Sequence, residues 1–447
     1  MSRPAADPNE TALPAWRVFA GTALPFVALA ALLLLLAYLW LDPNPPKRVV
    51  LATGVDQGAY SEFGKRYAER LARHGIVVEL RPTQGAAENL ALLRDPRSGV
   101  DLAFAQGGAD IDRSGGENAD AGLTSLGSMF YEPVWLFYRA ESAQKLLKAP
   151  RLERLAQLAG WRVNIGAPGS GVPNLAQRLL DANRIDAATI TLLQQPQTPA
   201  VVDLLEGKLD AIVLASAPES LMVQMLLQTP GVQLFDFAQA DAYTRRFGFL
   251  SAVTLPRGVV DLARDAPAGD VHMVAPTATL VARDSLHPAL AQLFVQAAHQ
   301  VHGQAGWFQR KGDFPNARDG ERELSAEAQR FYRSGVPWLQ RYLPFWLANV
   351  IDRMWLALLS IVAVLIPLSR VVPPLVELRI RSRVYRWYGQ LRAIEGATGL
   401  QPAAALLAEL DDIETKVAQV QMPLSYTDEL YALKSHIQLV RRRLQAA

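Results

Sequence analysis

Cysteine is missing from all 447 residues of the chain. Disulfide bonds, thiol catalysis and a cysteine-linked lipid anchor are therefore excluded. Histidine is also scarce, with six in total, and only His299 and His302 stand at helical spacing. Two neighbouring histidines fall short of the ligand set of a zinc site, so we expect them on a solvated helix face. The sequence predicts neither a metal nor a cofactor.

The charges of the chain nearly cancel. Lys and Arg number 45 and Asp and Glu number 43, which leaves a formal net charge of +2. Proteins that bind nucleic acid carry a dominant basic surface, so we exclude nucleic acid as a partner. Hydrophobic residues make up 50% of the chain, which is enough for a large core.

The first long apolar run covers residues 18–41 and contains no charged residue. At about 1.5 Å per residue this run spans the roughly 30 Å hydrocarbon core of a bilayer, so it predicts a transmembrane helix. A cleaved signal peptide is the alternative, but its apolar region is only about 7–15 residues long and is followed by small residues. Tyr38 and Trp40 end this run instead, and aromatic side chains suit a membrane interface.

A second apolar segment at 349–370 predicts another transmembrane helix. Arginines follow it, so the positive-inside rule places residues 371–447, together with residues 1–17, in the cytoplasm. Residues 47–345 would then form a periplasmic domain held at the inner (plasma) membrane of a bacterium. A hydrophobic surface or core helix is the alternative for 349–370. Aromatic residues that could form a belt outside it are Trp338, Tyr342, Trp346 and Trp355.

Strand and helix patterns alternate between the two apolar segments. Strands are predicted at 48–52, 76–80, 101–105, 162–165, 189–193 and 210–214, with helices at 59–73, 85–93, 173–183 and 199–206. This alternation is typical of α/β units on mostly parallel sheets. Two rounds of it indicate two lobes. Lobe one would comprise 47–139 and 271–345, and lobe two would be 140–270.

The tail carries two rows of apolar residues at alternating spacings of three and four. These rows are Leu406, Leu410, Ile413, Val417 and Val420, and then Leu430, Leu433, Ile437, Val440 and Leu444. The pattern predicts a C-terminal helical hairpin with facing apolar seams. Self-packing or dimerisation would use those seams, and a docking site for a cytoplasmic partner is the alternative.

A glycine-rich loop, residues 166–171, lies between a predicted strand and a predicted helix. Its spacing fits neither a nucleophile elbow nor a P-loop. A tight turn at a helix N-terminus remains, and its backbone amides with the Ser170 hydroxyl could hold a carboxylate. A purely structural turn is the alternative.

Two more loops have the same position between a strand and a helix, at 53–60 and 83–89. Gly54 and Gly58 allow close approach of the backbone, and Tyr60 could cover a ligand. Ligands of open α/β sheets bind at loops beyond the carboxyl ends of the strands, so all three loops could meet at one cleft. A structural role for each loop is again the alternative.

At these loops the sequence resembles the TAXI family, the solute receptors associated with TRAP transporters. Four motifs of the family match in order over about residues 50–345. The matching positions are Thr53, Gly54, Gly58 and Tyr60; Thr83, Gly85, Glu88, Asn89 and Leu90; Asp101 to Gln106; and Gly166, Pro168, Gly169, Ser170 and Gly171.

The resemblance implies a two-lobed type II periplasmic-binding-protein fold that closes on a small carboxylate or amino-acid-like ligand, and a TRAP permease as partner. The alternative is a membrane-bound sensor that signals through the cytoplasmic helical tail. An exported enzyme is disfavoured, since the sequence has no triad or metal cluster. The candidate ligand-binding residues are Gly54, Gly58, Ala59, Tyr60, Gln84, Gly85, Glu88, Asn89, Gln106, Tyr131, Gly169, Ser170, Gly171 and Ser216.

Overall fold

The computed structural model of the chain describes residues 15–42, 44–56, 58–109, 122–318, 321–418 and 427–446. The chain divides into two compact units. The larger unit is Asn44–Asn349, and the smaller one combines the segments before and after it. The larger unit contains the β-sheets, whereas the described part of the smaller unit is helical.

Strands and helices alternate through most of the larger unit. Its strands are β1 (Arg48–Ala52), β2 (Val77–Arg81), β3 (Leu102–Gln106), β4 (Leu123–Tyr131), β5 (Val134–Arg139), β6 (Arg162–Asn164), β7 (Thr191–Leu193), β8 (Ala211–Ala215), β9 (Val232–Leu234), β10 (Leu250–Leu255) and β11 (Val271–Arg283). The first helix of the chain, α1 (Ala15–Leu41), belongs to the smaller unit. The helices of the larger unit are α2 (Ala59–Ala72), α3 (Ala86–Arg94), α4 (Ala140–Ser142), α5 (Val172–Ala182), α6 (Gln197–Leu205), α7 (Leu221–Leu227), α8 (Ala240–Arg246), α9 (Pro288–His302) and α10 (Ala326–Ser334).

The first sheet has the strand order β10-β11-β3-β1-β2, and β4 also pairs with β11. Strand β1 runs parallel to β2 and β3, whereas β11 runs antiparallel to β3, β4 and β10. Helices α2 and α9 pack over one face of this sheet, and α3 packs over the other. Burial on both faces explains why the central strands β1 and β3 are almost continuously apolar, with Leu51 and Phe104 completely buried.

At the end of α9, the position of His302 differs from the solvated helix face that the sequence predicts. His299 is exposed, but His302 is only 3% exposed and belongs to the core rather than to a solvated helix face. Its Nε2 lies 3.2 Å from the hydroxyl of Tyr67, and its ring stacks on Phe130 at a centroid distance of 5.3 Å. Burial, with a smaller contribution from Arg66, lowers the pKa of His302 to about 3. The ring is therefore neutral at physiological pH.

The second sheet has the strand order β7-β6-β8-β5-β9. Strand β6 runs parallel to β7 and β8, whereas β5 runs antiparallel to β8 and β9. Trp161 is completely buried in the core on one side of the sheet and Trp135 in the core on the other. The predicted α/β class is therefore confirmed, although both sheets are mixed rather than mostly parallel.

Strand β5 falls within residues 47–139, the first part of the predicted lobe one. It nevertheless belongs to the second sheet, where Trp135 pairs with Leu214 of β8. A continuously apolar strand has the same pattern in either sheet, so only its hydrogen-bonding partners assign it. The chain therefore passes from the first sheet to the second between Tyr131 and Val134.

Strand β11 connects the two halves of the larger unit on the return path. Its first part, Val271–Pro276, pairs with β10, and its last part, from Ala278, pairs with β3. The residues of strand β10 fall within the predicted lobe two, 140–270. The strand is nevertheless hydrogen-bonded to the first sheet through β11. Its side chains Leu250 and Val253 nevertheless pack into the cores around the second sheet. This one 13-residue strand therefore pairs within the first sheet, while Met273 and Val274 from its first part pack into the cores around the second sheet.

Long helices precede and follow the sheets in the chain. These are α1, in the smaller unit, and α11 (Phe345–Gly396), which has 52 residues and belongs to the smaller unit from Val350 onward. Among the described residues, Phe345–Leu368 is the one helical stretch long and apolar enough to cross a membrane, and Phe26–Leu41 is a shorter apolar stretch. The predicted span at 349–370 overlaps the first stretch. The predicted span at 18–41 falls in α1, but the side chains of residues 18–23 lie outside the described part.

The tail has one helix more than the predicted hairpin. Helices α12 (Ala403–Ala418) and α13 (Thr427–Ala446) follow α11. Both predicted apolar rows point into one core, and Leu391 and Ile394 from the end of α11 join it. Val420 and the connection at 419–426 lie outside the described residues. The tail is therefore a three-helix bundle built on the end of α11.

Candidate functional site

A cavity of about 100 Å³ lies between the two sheets of the larger unit. Nine of the fourteen candidate residues line it, namely Gly54, Gly58, Ala59, Tyr60, Gln84, Gly85, Gln106, Ser170 and Ser216. The other five, Glu88, Asn89, Tyr131, Gly169 and Gly171, are not part of its lining. Residues that sequence reasoning missed also line it, above all Glu132.

The cavity lies at the carboxyl ends of strands from both sheets. From the first sheet come the loops after β1 and β2 and the last residue of β3, Gln106. From the second come the glycine-rich loop after β6 and Ser216 directly after β8. Parallel strands bring their carboxyl ends to one edge of a sheet, so loops distant in sequence meet there.

Three helices begin at the cavity. The first residues of α2, α5 and α6 are Ala59, Val172 and Gln197, and all three line it. The first amides of a helix have no acceptor within that helix, and the helix dipole places positive partial charge at the same end. The cavity is therefore electrostatically suited to an anionic group even though no lysine, arginine or histidine of the described segments lines it.

The loops of the two sheets touch beside the cavity. The backbone amides of Ala87 and Glu88 both donate hydrogen bonds of 3.1 Å to the carbonyl oxygen of Gly169. The backbone of Gly85 lies so near Ser170 that a Cβ atom at position 85 would be 3.0 Å from the Cα of Ser170. These contacts link the start of α3 to the glycine-rich loop and hold the cleft closed.

Ser170 stabilises its own loop. Its hydroxyl donates a 2.8 Å hydrogen bond to the carbonyl oxygen of Ala167 and accepts one of 3.3 Å from the amide of Val172. The side chain therefore closes the turn at the start of α5. Ser170 thereby shapes the turn from which the first amides of α5 face the cavity.

Asn89 connects three elements of the first sheet. Its Nδ2 donates to the carbonyl oxygens of Thr53 and Phe104, at 2.8 Å for the latter, and its Oδ1 accepts from the hydroxyl of Thr83 at 2.7 Å. The residue is completely buried beneath the loops. Its neighbour Glu88 accepts a 2.7 Å hydrogen bond from the amide of Gln84. These side chains fix the loops from behind and do not face the cavity.

Tyr131 lies at the end of β4, and its ring packs edge-on against Phe314 at a centroid distance of 4.8 Å. The next residue, Glu132, faces the cavity instead. Alternation of side chains along an extended chain explains this difference.

Glu132 is only 3% exposed, and its Oε2 accepts a 2.8 Å hydrogen bond from the hydroxyl of Tyr60. Burial raises the pKa of this carboxyl to about 8, against a smaller opposing effect of the Tyr60 hydrogen bond. Burial, and then the nearby Glu132, raise the pKa of Tyr60 well above its usual value. A sequence signal for this acid exists, because Glu132 is the one charged residue between Leu123 and Tyr138.

Gln106 supplies the second distinctive polar group of the cavity. It is 2% exposed, and among the described residues its Nε2 has no hydrogen-bond partner. A buried amide donor without an acceptor is unfavourable by about 1–3 kcal/mol, so such a group in a cavity wall indicates a ligand oxygen. No group of three His, Cys, Asp or Glu that could hold a metal occurs in the described ranges.

Comparisons with known proteins identify a family. A sequence model of the NMT1-like family matches residues 51–303. No curated protein matches the chain. Similar solved structures include the alkanesulfonate-binding protein SsuA from Xanthomonas axonopodis pv. citri bound to MOPS, with 17% identity, coverage of 58% of this chain and 73% of that chain, and a TM-score of 0.36. MatC from Rhodopseudomonas palustris with bound malate has 18% identity, 69% and 96% coverage, and a TM-score of 0.37.

Proposed function

The chain belongs to the NMT1-like family, and from this premise we propose that it is an extracytoplasmic receptor for a small carboxylate solute. The observation that carries the proposal is the cavity between the two sheets, which loops from both sheets enclose. Three helix N-termini at the cavity suit a carboxylate. Entry of a ligand requires the sheets to separate, so binding shifts a hinge equilibrium toward the closed form.

We assign the receptor to the TAXI family and to TRAP-type transport on the four sequence motifs. All four motifs supply residues of the cavity wall. Gly54 comes from the first motif, Gly85 from the second and Ser170 from the fourth. Gln106, which ends the third motif, also lines the cavity. In this proposal a TRAP permease receives the solute when the cleft opens.

The receptor is proposed to be anchored in the inner membrane by α1 and α11, with both termini in the cytoplasm. Trp338, Tyr342 and Trp346 precede or begin α11 at intervals of four residues and are 68%, 81% and 61% exposed. Exposed aromatic side chains next to an apolar helix suit the headgroup region of a bilayer. The arginines that follow the apolar stretch then lie on the cytoplasmic side.

The receptor function is tested by thermal unfolding of the full chain in detergent against organic acids and amino acids. A solute that binds the folded form alone, at about 100 times its Kd, should stabilise the larger unit by about 2.7 kcal/mol. Full-length chain with Asn89→Leu, which removes the hydrogen bonds beneath the loops, should lose this response. Unchanged unfolding with every solute would refute the receptor proposal.

The continuity of α11 favours a second function, a membrane-bound ligand sensor. The helix runs without interruption from Phe345 to Gly396, about 78 Å at 1.5 Å per residue, and its end contributes Leu391 to the core of the tail bundle. A movement of its first turns would therefore be passed along one helix. Leu410→Ala in the bundle core should abolish the output of a sensor but leave solute uptake by a transporter intact. Leu400→Ala, at an 84% exposed position, is the control.

A further inference from the structure

The ionisable groups of the cavity wall are unusual for a site that binds an anion. Among the described residues that line the cavity, Glu132 is the one acid and none carries a basic side chain. A dicarboxylate would bring two negative charges to a buried carboxyl with no cation to offset them. Burial of uncompensated charge is strongly unfavourable. Among the small carboxylate and amino-acid-like ligands that the family resemblance implies, the cavity therefore disfavours dicarboxylates and acidic amino acids.

The polar groups of the wall divide into two kinds. Helices α5 and α6 and the Nε2 of Gln106 offer hydrogen-bond donors and positive partial charge, which match a carboxylate. Glu132 offers an acceptor, since the Tyr60 hydroxyl occupies Oε2 and a carboxylate has a second oxygen. A ligand with one anionic and one cationic end satisfies both kinds and carries no net charge itself.

The volume of the cavity limits the length of such a ligand. At about 100 Å³ it is smaller than an engineered cavity of roughly 150 Å³ that holds benzene, which has six heavy atoms. About six heavy atoms, as in alanine, is therefore the upper limit for a ligand of this cavity. A side chain with its own carboxylate would exceed this volume.

We propose that the cavity binds a small neutral α-amino acid as the zwitterion, and that Glu132 accepts its ammonium group. This inference rests on the proposed receptor function and names its solute class. In it, Glu132 is the specificity-determining residue, because it discriminates an amino acid from the corresponding hydroxy acid. Tyr60 is a positioning residue that orients the carboxylate through Oε2. Gln106 and the helix N-termini hold the carboxylate of the ligand.

The test is isothermal titration calorimetry on the full chain in detergent at pH 7. Glycine, L-alanine and L-serine are compared with propionate, L-lactate and succinate. We expect the amino acids to bind at least about 30-fold more tightly than the acids without an amino group. Glu132→Gln should remove that preference, whereas Glu141→Gln, whose side chain is 74% exposed, should retain it.

Proton release gives a second measurement, which is made on the unaltered chain and needs no substituted protein. Burial keeps the carboxyl of Glu132 protonated at pH 7 in the empty cavity, since its pKa is about 8. An ammonium group would displace that proton, so titrations in two buffers of different ionisation enthalpy should show release of close to one proton per ligand. A carboxylic acid without an amino group would leave the proton in place or increase its uptake.

The outcomes separate the two proposals. Tight binding of propionate, L-lactate or succinate without any preference for amino acids would overturn the assignment of Glu132 but leave a carboxylate receptor. Binding of amino acids without proton release, together with unchanged selectivity in a folded Glu132→Gln variant, would also overturn it. Absence of binding by both classes of solute would refute the receptor function, and the solute class with it.

Discussion

The hydroxyl of Tyr60 donates a 2.8 Å hydrogen bond to Glu132, and this bond connects the first turn of α2 to the point where the chain leaves the first sheet. Both residues line the cavity. Glu132 therefore connects the start of a helix to the crossing between the sheets at the wall of the cavity. In the proposed function, its protonation state links solute binding to the stability of the closed form.

We expect the ligand-free larger unit to become less stable as the pH rises from 6.5 to 8. In the unfolded chain Glu132 loses its proton near pH 4.3, whereas in the folded chain its pKa is about 8. The folded state thus binds more protons over this interval, and stability falls by at most about 1.4 kcal/mol per pH unit. Urea unfolding midpoints of the full chain measure this slope.

Glu132→Gln should flatten that slope, because glutamine does not titrate. Glu141→Gln, on the surface, should keep the slope of the unaltered chain. An equal slope in all three proteins would show that Glu132 is ionised in the folded state at neutral pH.

His302 should act in the opposite direction on the acid side. Its pKa is lowered by burial to about 3, whereas an unfolded histidine titrates near pH 6.5. Below pH 6.5 the unfolded state binds a proton that the folded state does not, so stability falls as the pH drops, by up to about 1.4 kcal/mol per unit. His302→Gln should lose this dependence between pH 6.5 and 5, and exposed His299→Gln should not. A parallel response of both variants would contradict the assignment.

Local patterns predicted the loops of the site, and tertiary contacts decided their roles. Gly54 and Gly85 could be found because glycine between a strand and a helix signals close backbone approach. Asn89 looked like a ligand-binding residue, but its partners Thr53 and Phe104 come from two other segments, so its structural role required the fold. Glu132 was missed because its partner Tyr60 is 72 positions away in the chain.

The assignment of strands to sheets shows the same limit. Strand β5 was not among the predicted strands, and its pairing with β8 across more than 70 residues places it in the second sheet. The prediction of a two-helix tail missed the third helix for a related reason. Leu391 and Ile394 follow an apolar helix that the sequence reasoning treated as a membrane segment and its flank, so their place in the bundle core was not anticipated.

Closure of the cleft should be sensitive to a single methyl group at Gly171. This residue has φ +87°, and a Cβ there would lie 3.1 Å from the Cβ of Ala109 and 3.2 Å from Oε1 of Gln106, both from the first sheet. Gly171→Ala should therefore oppose closure and weaken solute binding by about tenfold or more, in line with about 1–3 kcal/mol for overpacking. Calorimetric affinity for the best solute measures the effect.

Gly160→Ala is the matched control for that substitution. Gly160 has a similar φ of +81°, but a Cβ there would meet nothing within 4 Å. Both alanines carry the backbone strain of the left-handed region, about 1–2 kcal/mol, and should lower the unfolding midpoint alike. Only Gly171→Ala should weaken binding. Equal affinities in the two variants would mean that the glycine-rich loop does not close on the first sheet.

The apolar stretch Phe345–Leu368 should place the tail in the cytoplasm. Alkaline phosphatase, which is active only after export, should stay inactive when fused after residue 447 of the full chain. Leu356→Arg introduces a charge near the middle of the stretch, at a 59% exposed position, and disfavours insertion by about 2.5–3.5 kcal/mol. That variant should gain phosphatase activity because α1 alone then holds the chain. Leu400→Arg, in the tail, should remain inactive. Phosphatase activity in the unaltered fusion would rule out the second span.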